Sequence, residues 1–198
     1  MPTTKPLEQE LTDFAEVLKN EGLEYSDKPF ELRAGGVSHW ILDTARAVSS
    51  GDNLKTAGRL LVAKASVLKP GFELVAGMGI CGRALAYGMQ YAGCETGFKF
   101  DVVEANDDES PNQRYGYGLH GSNVQDKEVL LVDDVGSTGS SLLKLLDMVL
   151  DEGGIVHNGL VLTDRSGGKI REALAQRDVD LVAVYEMREF VEIKPALP

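Results

Sequence analysis

An α/β domain built on a doubly wound parallel sheet is the fold class this sequence predicts, and three observations predict it. From Glu73 onward, short apolar runs alternate with segments of helical spacing, the pattern of strands joined by crossover helices. One run, Val129-Leu-Leu-Val132, is apolar at consecutive positions, which suits a central parallel strand buried on both faces. A chain of 198 residues with 43% apolar content can bury one substantial core.

Taken in order, Leu7 to Leu18 reads as an amphipathic helix. Phe30 to Leu42 reads as a strand pair turning at Gly35-Gly36, ahead of the main core. A second helix is predicted over Leu54 to Leu68, bounded by Pro70-Gly71. Glu73 to Ala76 is a predicted strand, followed by a helix from about Gly82 to Ala92 and a strand from Phe98 to Val103. The polar stretch Glu104 to Gly121 has no periodicity, and within it Ala105 to Gly118 reads as a long mobile loop, either functional or a plain surface insertion. Beyond the Val129 strand, Leu142, Leu143, Leu145, Leu146, Val149 and Leu150 recur at helical spacing until Gly153-Gly154. Ile155 to Thr163 then reads as a strand, Lys169 to Ala175 as a short helix and Val179 to Tyr185 as a last strand. No internal repeat or low-complexity tract divides the chain, so residues 1–198 read as one domain.

The densest chemistry follows the buried run: Asp133-Asp-Val-Gly-Ser-Thr-Gly-Ser-Ser141. This segment lies at the carboxyl end of a strand and opens a helix. The first-turn N–H groups of a helix have no internal partners, and the helix dipole favours an anion there. Gly136 and Gly139 let the backbone come close or turn sharply, while the hydroxyls of Ser137, Thr138, Ser140 and Ser141 can donate to phosphate oxygens. Asp133 and Asp134 can accept from vicinal hydroxyls, such as those of a ribose, or bind magnesium through water. The bland alternative, a strand-to-helix turn with serine caps, explains the hydroxyls but not the acid pair.

These residues resemble the phosphoribosyl-pyrophosphate (PRPP) loop of type I phosphoribosyltransferases, an acidic pair, two mostly aliphatic residues and a Thr/Ser-rich turn around a glycine. Gly136 departs from it, standing where an aliphatic residue is usual, and predicts a looser loop. Within that superfamily the chain is most similar to orotate phosphoribosyltransferase, from about Leu7 to Ile193. Phe30-Glu-Leu-Arg-Ala-Gly-Gly-Val-Ser38 resembles that family's N-terminal hood, with Arg33 at its basic position near orotate and pyrophosphate. The resemblance implies a hood made of about 1–45 together with 186–198. Thr163-Asp-Arg165 resembles the Asp-Arg whose arginine binds the orotate carboxylate, which makes Arg165 the base-recognition candidate; a solvated surface pair is the alternative. Trp40, beside His39, is either a core residue or a sign of an altered base pocket.

Two departures bear on catalysis. In Ala76-Gly-Met-Gly-Ile-Cys-Gly-Arg83 the family's pyrophosphate loop usually carries a lysine where Cys81 stands; Cys81, Gly82 and Arg83 are therefore the expected pyrophosphate contacts, with Arg83 the only cation and Cys81 a small thiol rather than a nucleophile. The mobile loop lacks the family's lysines, and aligning Tyr115-Gly-Tyr-Gly118 with its Tyr-Gly-x-Gly leaves Arg114 as the sole replacement for the catalytic cation. The resemblance implies displacement of pyrophosphate from PRPP by a base nitrogen, with Mg2+ on the pyrophosphate, Asp133, Asp134 and Arg114 as catalytic residues, and the segment Asp133, Asp134, Val135, Gly136, Ser137, Thr138, Gly139, Ser140 and Ser141 binding PRPP. Orotate is the expected nucleobase. A PRPP-binding module that has lost turnover is the alternative those departures imply. The resemblance also implies a homodimer.

Composition narrows the rest. A formal charge of −11 with no basic run argues against nucleic acid or an anionic membrane as partner. No apolar run approaches the ~20 residues of a membrane span, and Met1 to Glu8 lacks the apolar core of a signal peptide, so a cytoplasmic protein is expected. Two cysteines are too few for a disulfide framework, and His39, His120 and His157 are scattered without metal-ligand spacing.

Overall fold

The structure is a computed structural model, and it describes residues 6–31, 37–107 and 117–187. The turn expected at Gly35-Gly36, most of the expected mobile loop and the C-terminal part of the expected hood lie outside the described residues, as do Arg33 and Arg114.

Helix α1 (Leu7–Val17) continues into one π-helical stretch, Leu18–Gly22, which delivers the chain to strand β1 (Leu23–Glu31). Strand β2 (Val37–Leu42) returns antiparallel to β1, and the two form a sheet of their own. Asp43 then caps a single helical turn, α2 (Thr44–Ala47), by accepting the Arg46 N–H. Ser50 caps α3 (Gly51–Ala65) by accepting from the Asn53 N–H, as short hydroxyl side chains do at helix starts.

The main sheet follows as β3 (Leu74–Met78), α4 (Gly79–Thr96), β4 (Asp101–Asn106), β5 (Gly118–Gly121), β6 (Glu128–Gly136), α5 (Ser140–Asp151), β7 (Ile155–Asp164), α6 (Lys169–Ala175) and β8 (Asp180–Glu186). Its order is β5-β4-β3-β6-β7-β8, parallel throughout except for the edge strand β5, which pairs antiparallel with β4. The expected doubly wound α/β sheet is therefore present, with one antiparallel edge.

Strand side chains alternate between two apolar layers. Val75, Leu130, Val132, Leu160 and Leu162 join the core under α1, α3 and α4. Leu74, Ala76, Val129, Leu131 and Val161 join the opposite core under α5 and α6. In the first layer α3 and α4 cross where Gly58 meets Gly88: a Cβ on Gly58 would collide with the Gly88 carbonyl.

Several boundaries differ from the sequence reading. The strand expected from Phe98 starts instead at Asp101, because Phe98 and Phe100 close an aromatic cluster with Phe72, with ring centroids 5.4 to 5.8 Å apart. Helix α4 begins at Gly79, three residues before Gly82, since Gly79 turns with a φ of +70°. Strand β5 and the single turn α2 were not foreseen, being too short for any periodicity to show.

Candidate functional site

The chain runs outward from β3 to β4 and β5, then returns to the other side of β3 as β6. In an open α/β sheet that reversal leaves a crevice at the carboxyl ends of the two central strands. A cleft of about 440 Å³ lies there, walled by Met78 at the end of β3, the start of α4 (Gly79 to Arg83), Asp107, the Asp133-Asp134 pair and Ser141. Of the residues singled out in the sequence, the structure thus brings Cys81, Gly82, Arg83, Asp133, Asp134, Val135 and Ser141 to one cleft.

Close backbone approach makes this possible. A side chain on Gly77 would strike the Gly82 carbonyl, and a Cβ on Gly82 would lie 3.2 Å from the Val132 carbonyl oxygen and 3.4 Å from Asp133 Oδ1. The first turn of α4 therefore sits directly over the end of β6.

Asp133 Oδ1 accepts the backbone N–H of Asp134 at 2.9 Å. Burial first, and the neighbouring Asp134 charge second, hold the Asp133 carboxyl well above the usual carboxylate range. Cys81 hydrogen-bonds Asp134; burial, with that carboxylate beside it, pushes the thiol up to about 12, so Cys81 is a neutral S–H at neutral pH. Arg83 donates from Nε to the Gly79 carbonyl at 2.9 Å, and its Nη1 lies 3.6 Å from Glu104 Oε2. Glu104 in turn accepts from the Tyr87 hydroxyl at 2.6 Å, a bond that raises the Tyr87 pKa. Arg83 thus reaches the rim already partnered by Glu104, which does not itself line the cleft.

Beyond the acid pair, β6 ends at Gly136, and Gly139 turns the chain into α5 with a φ of +81°. Ile170 of α6 fills the space under both glycines: a Cβ on Gly136 would be 3.3 Å from its Cδ1, and one on Gly139 would be 2.9 Å from its Cγ1. Gly136 is buried at a strand end, so the looseness predicted for it is met by packing from a separate helix. The first bond of the α5 ladder runs from the Leu143 N–H to the Gly139 carbonyl at 2.8 Å, which leaves the N–H groups of Ser140, Ser141 and Leu142 ahead of it. Thr138 Oγ1 donates to Ser140 Oγ at 3.2 Å and also faces the Ser140 N–H at 3.5 Å. The exposed hydroxyls of Thr138, Ser140 and Ser141 and the half-buried Ser137 surround this helix start.

The neighbouring strand adds a cation. β7 pairs with β6 so that Asp164 stands opposite Gly136, and the next residue, Arg165, donates its backbone N–H to the Gly136 carbonyl at 2.8 Å. Its guanidinium lies 4.0 Å from the centroid of the Trp40 ring, and burial lowers its pKa. Among the described residues it makes no side-chain hydrogen bond or ion pair. Asp164, only 6% exposed, accepts from the Ser166 N–H and hydroxyl at 2.8 and 2.7 Å and lies 3.3 Å from Arg171 Nε, so its role is to hold the loop. A second hollow, about 450 Å³, is lined by Arg165, Arg171, Glu186 and Met187.

Among the described residues no group of three or more His, Cys, Asp or Glu could hold a metal ion, and no helix is long and apolar enough to cross a membrane.

No protein-family model matches the chain. The orotate phosphoribosyltransferase of Sulfurisphaera tokodaii is 28% identical over 166 residues, covering 82% of this chain and 78% of that protein. That of Pyrobaculum calidifontis is 29% identical over 171 residues, covering 84% and 83%. Among solved structures, orotate phosphoribosyltransferase of Mycobacterium tuberculosis H37Rv in complex with PRPP superposes with a TM-score of 0.73 at 20% identity, over 92% of this chain and 99% of that one. The enzyme of Aeropyrum pernix gives a TM-score of 0.70 at 24% identity, over 90% and 97%.

Proposed function

We infer that this chain, which has the type I phosphoribosyltransferase fold and is similar to orotate phosphoribosyltransferases over 82% of its length, transfers the ribose 5-phosphate group of PRPP to orotate. The observation that supports this best is the pair of neighbouring carboxyl ends of β6 and β7: an acid pair and a hydroxyl-rich helix start on one strand, and on the next a guanidinium that makes no hydrogen bond or ion pair among the described residues.

Each part has a role in that reaction. The N–H groups of Ser140 to Leu142, with the hydroxyls of Ser137, Thr138, Ser140 and Ser141, hold the 5-phosphate. Asp133 and Asp134 accept from the ribose hydroxyls and keep the anomeric carbon facing the base. Gly82 lets the pyrophosphate approach the backbone, Cys81 lines the same turn with its S–H on Asp134, and Arg83 offers charge at the rim. Arg165 pairs in its plane with the orotate carboxylate. A ring nitrogen of orotate forms the new bond to the anomeric carbon as the bond to pyrophosphate breaks, and the pyrophosphate leaves with its electron pair. The chain's contribution is positioning and charge stabilisation around an oxocarbenium-like transition state.

Magnesium fits this site as an ion carried on the substrate. Its preference for phosphate oxygens and retained waters suits a cleft with two adjacent carboxylates and no closed cage among the described residues. When bound it would neutralise charge on the departing pyrophosphate. Arg114 is the proposed additional cation at the pyrophosphate and Arg33 a proposed base contact, both outside the described residues. A cytoplasmic homodimer completes the reading.

The test is direct: purified protein with PRPP, magnesium and orotate, monitored by loss of orotate absorbance and by pyrophosphate release. Stoichiometric production of both signals is expected. PRPP binding without turnover would replace the reading with a binding module, and no PRPP binding would overturn the assignment of Asp133 to Ser141.

A further inference from the structure

Arg165 is anchored twice. Its backbone N–H donates to the Gly136 carbonyl, and its side chain rests on the Trp40 ring. Trp40 comes from β2 of the separate two-stranded sheet, far from Arg165 in sequence, so two distant parts of the chain meet at this one guanidinium.

Trp40 is itself held. It stands opposite Tyr25 on β1 and packs against the first core. Ser38 Oγ donates to its carbonyl at 2.7 Å and accepts its N–H at 3.3 Å. An indole face is the strongest aromatic partner for a cation, and stacking uses the face of the guanidinium while leaving the in-plane N–H donors unspent. Asp164, the adjacent acid that could have claimed those donors, is committed to Ser166 and Arg171. Glu186, across the second hollow, lies 3.7 Å from Arg171 Nη2. Both of these acids thus face Arg171, and among the described residues the Arg165 side chain makes no hydrogen bond or ion pair.

We propose that Trp40 is a positioning residue for base recognition: by stacking on Arg165 it fixes the plane of the guanidinium so that its edge meets a planar ring carboxylate. This rests on the reading of Arg165 as the group that binds the base. It assigns to Trp40 neither a core role alone nor direct contact with the base, and it makes the β1–β2 sheet part of the specificity apparatus.

The experiment compares wild type, Trp40→Phe, Trp40→Ala and Arg165→Met by steady-state kinetics with orotate and PRPP varied separately, and by calorimetric titration of orotate. Trp40→Ala is expected to raise the orotate KM about tenfold, the scale of a partly desolvated cation–π contact, with kcat and the PRPP KM within about twofold of wild type. Trp40→Phe, which keeps a ring face, is expected to recover most of that loss, and Arg165→Met to lose orotate affinity whatever stands at position 40. An orotate KM unchanged in Trp40→Ala, or orotate and PRPP KM rising together in both Trp40 variants, would overturn the proposal. Should wild type bind orotate without turnover, the transferase reading fails alone, and the same tenfold separation and phenylalanine rescue in the titrations would uphold the stack. Wild type that binds no orotate would overturn both.

Discussion

Asp133 shows at a single residue how the site is tuned. The resemblance singled it out, but its protonation is a property of the fold: burial and the adjacent Asp134 raise its pKa in the native state. A native carboxyl that holds its proton where the unfolded chain has lost it stabilises the fold at low pH. That contribution is lost as pH rises from the ordinary carboxylate value toward the raised one. Asp133→Asn removes the titration, so this variant is expected to gain stability over wild type progressively across that window, measured by thermal unfolding as a function of pH. It is also expected to lower kcat/KM about 100-fold, the scale of removing one preorganised electrostatic contact. A variant that is both less stable at neutral pH and fully active would contradict the assignment. Cys81 is the converse case. Its identity was legible as a missing lysine, but burial first, and the Asp134 carboxylate beside it second, keep it a thiol, and both belong to the fold.

At the scale of elements, the strand β6, its loop and α5 were legible because apolar run, acid pair, small residues and helical spacing follow one another without interruption. The support beneath them was not, since Ile170 is separated from Gly136 by a whole strand and touches it only through the β7–α6 connection. The two residues share one volume, and this yields a coupled prediction. Gly136→Val, which restores the aliphatic residue usual in the family, is expected to cost about 1–3 kcal/mol by overpacking. Ile170→Ala is expected to cost about 2–5 kcal/mol by opening a cavity. The double variant is expected to be more stable than their sum by about 1 kcal/mol or more, as read by denaturant unfolding. Additivity within about 0.5 kcal/mol would mean that the two sites do not compete for space.

Across the whole molecule, the sheet order gathers residues from the carboxyl ends of β3, β6 and β7, so a ligand there ties together strands that belong to both cores. PRPP with magnesium at about a hundredfold excess over its Kd is therefore expected to stabilise the fold by about 2.7 kcal/mol. For a chain of this size that is a rise in Tm of about 5–10 °C. Differential scanning calorimetry checks it, and the rise is expected to disappear in Asp133→Ala/Asp134→Ala. The formal charge of −11 gives no general attraction for a polyanion, so on the proposed reading the local donors at the start of α5 and at the β3–α4 turn would have to hold it.

The sequence by itself determined the α/β class, the succession of elements from α3 to β8 apart from β5, and the place of the Asp133 to Ser141 segment between a strand end and a helix start, because these depend on local spacing that neighbouring residues express directly. The tertiary structure alone decided which face each buried residue serves. Val129 to Val132 is uniformly apolar, so nothing in its pattern shows that Val129 and Leu131 turn to one core and Leu130 and Val132 to the other. It also decided the partners of Arg165. A cation that stacks on a tryptophan from another sheet while its backbone bonds the end of a neighbouring strand is specified by strand order and packing, and contacts between residues so far apart in the chain leave no periodicity along it.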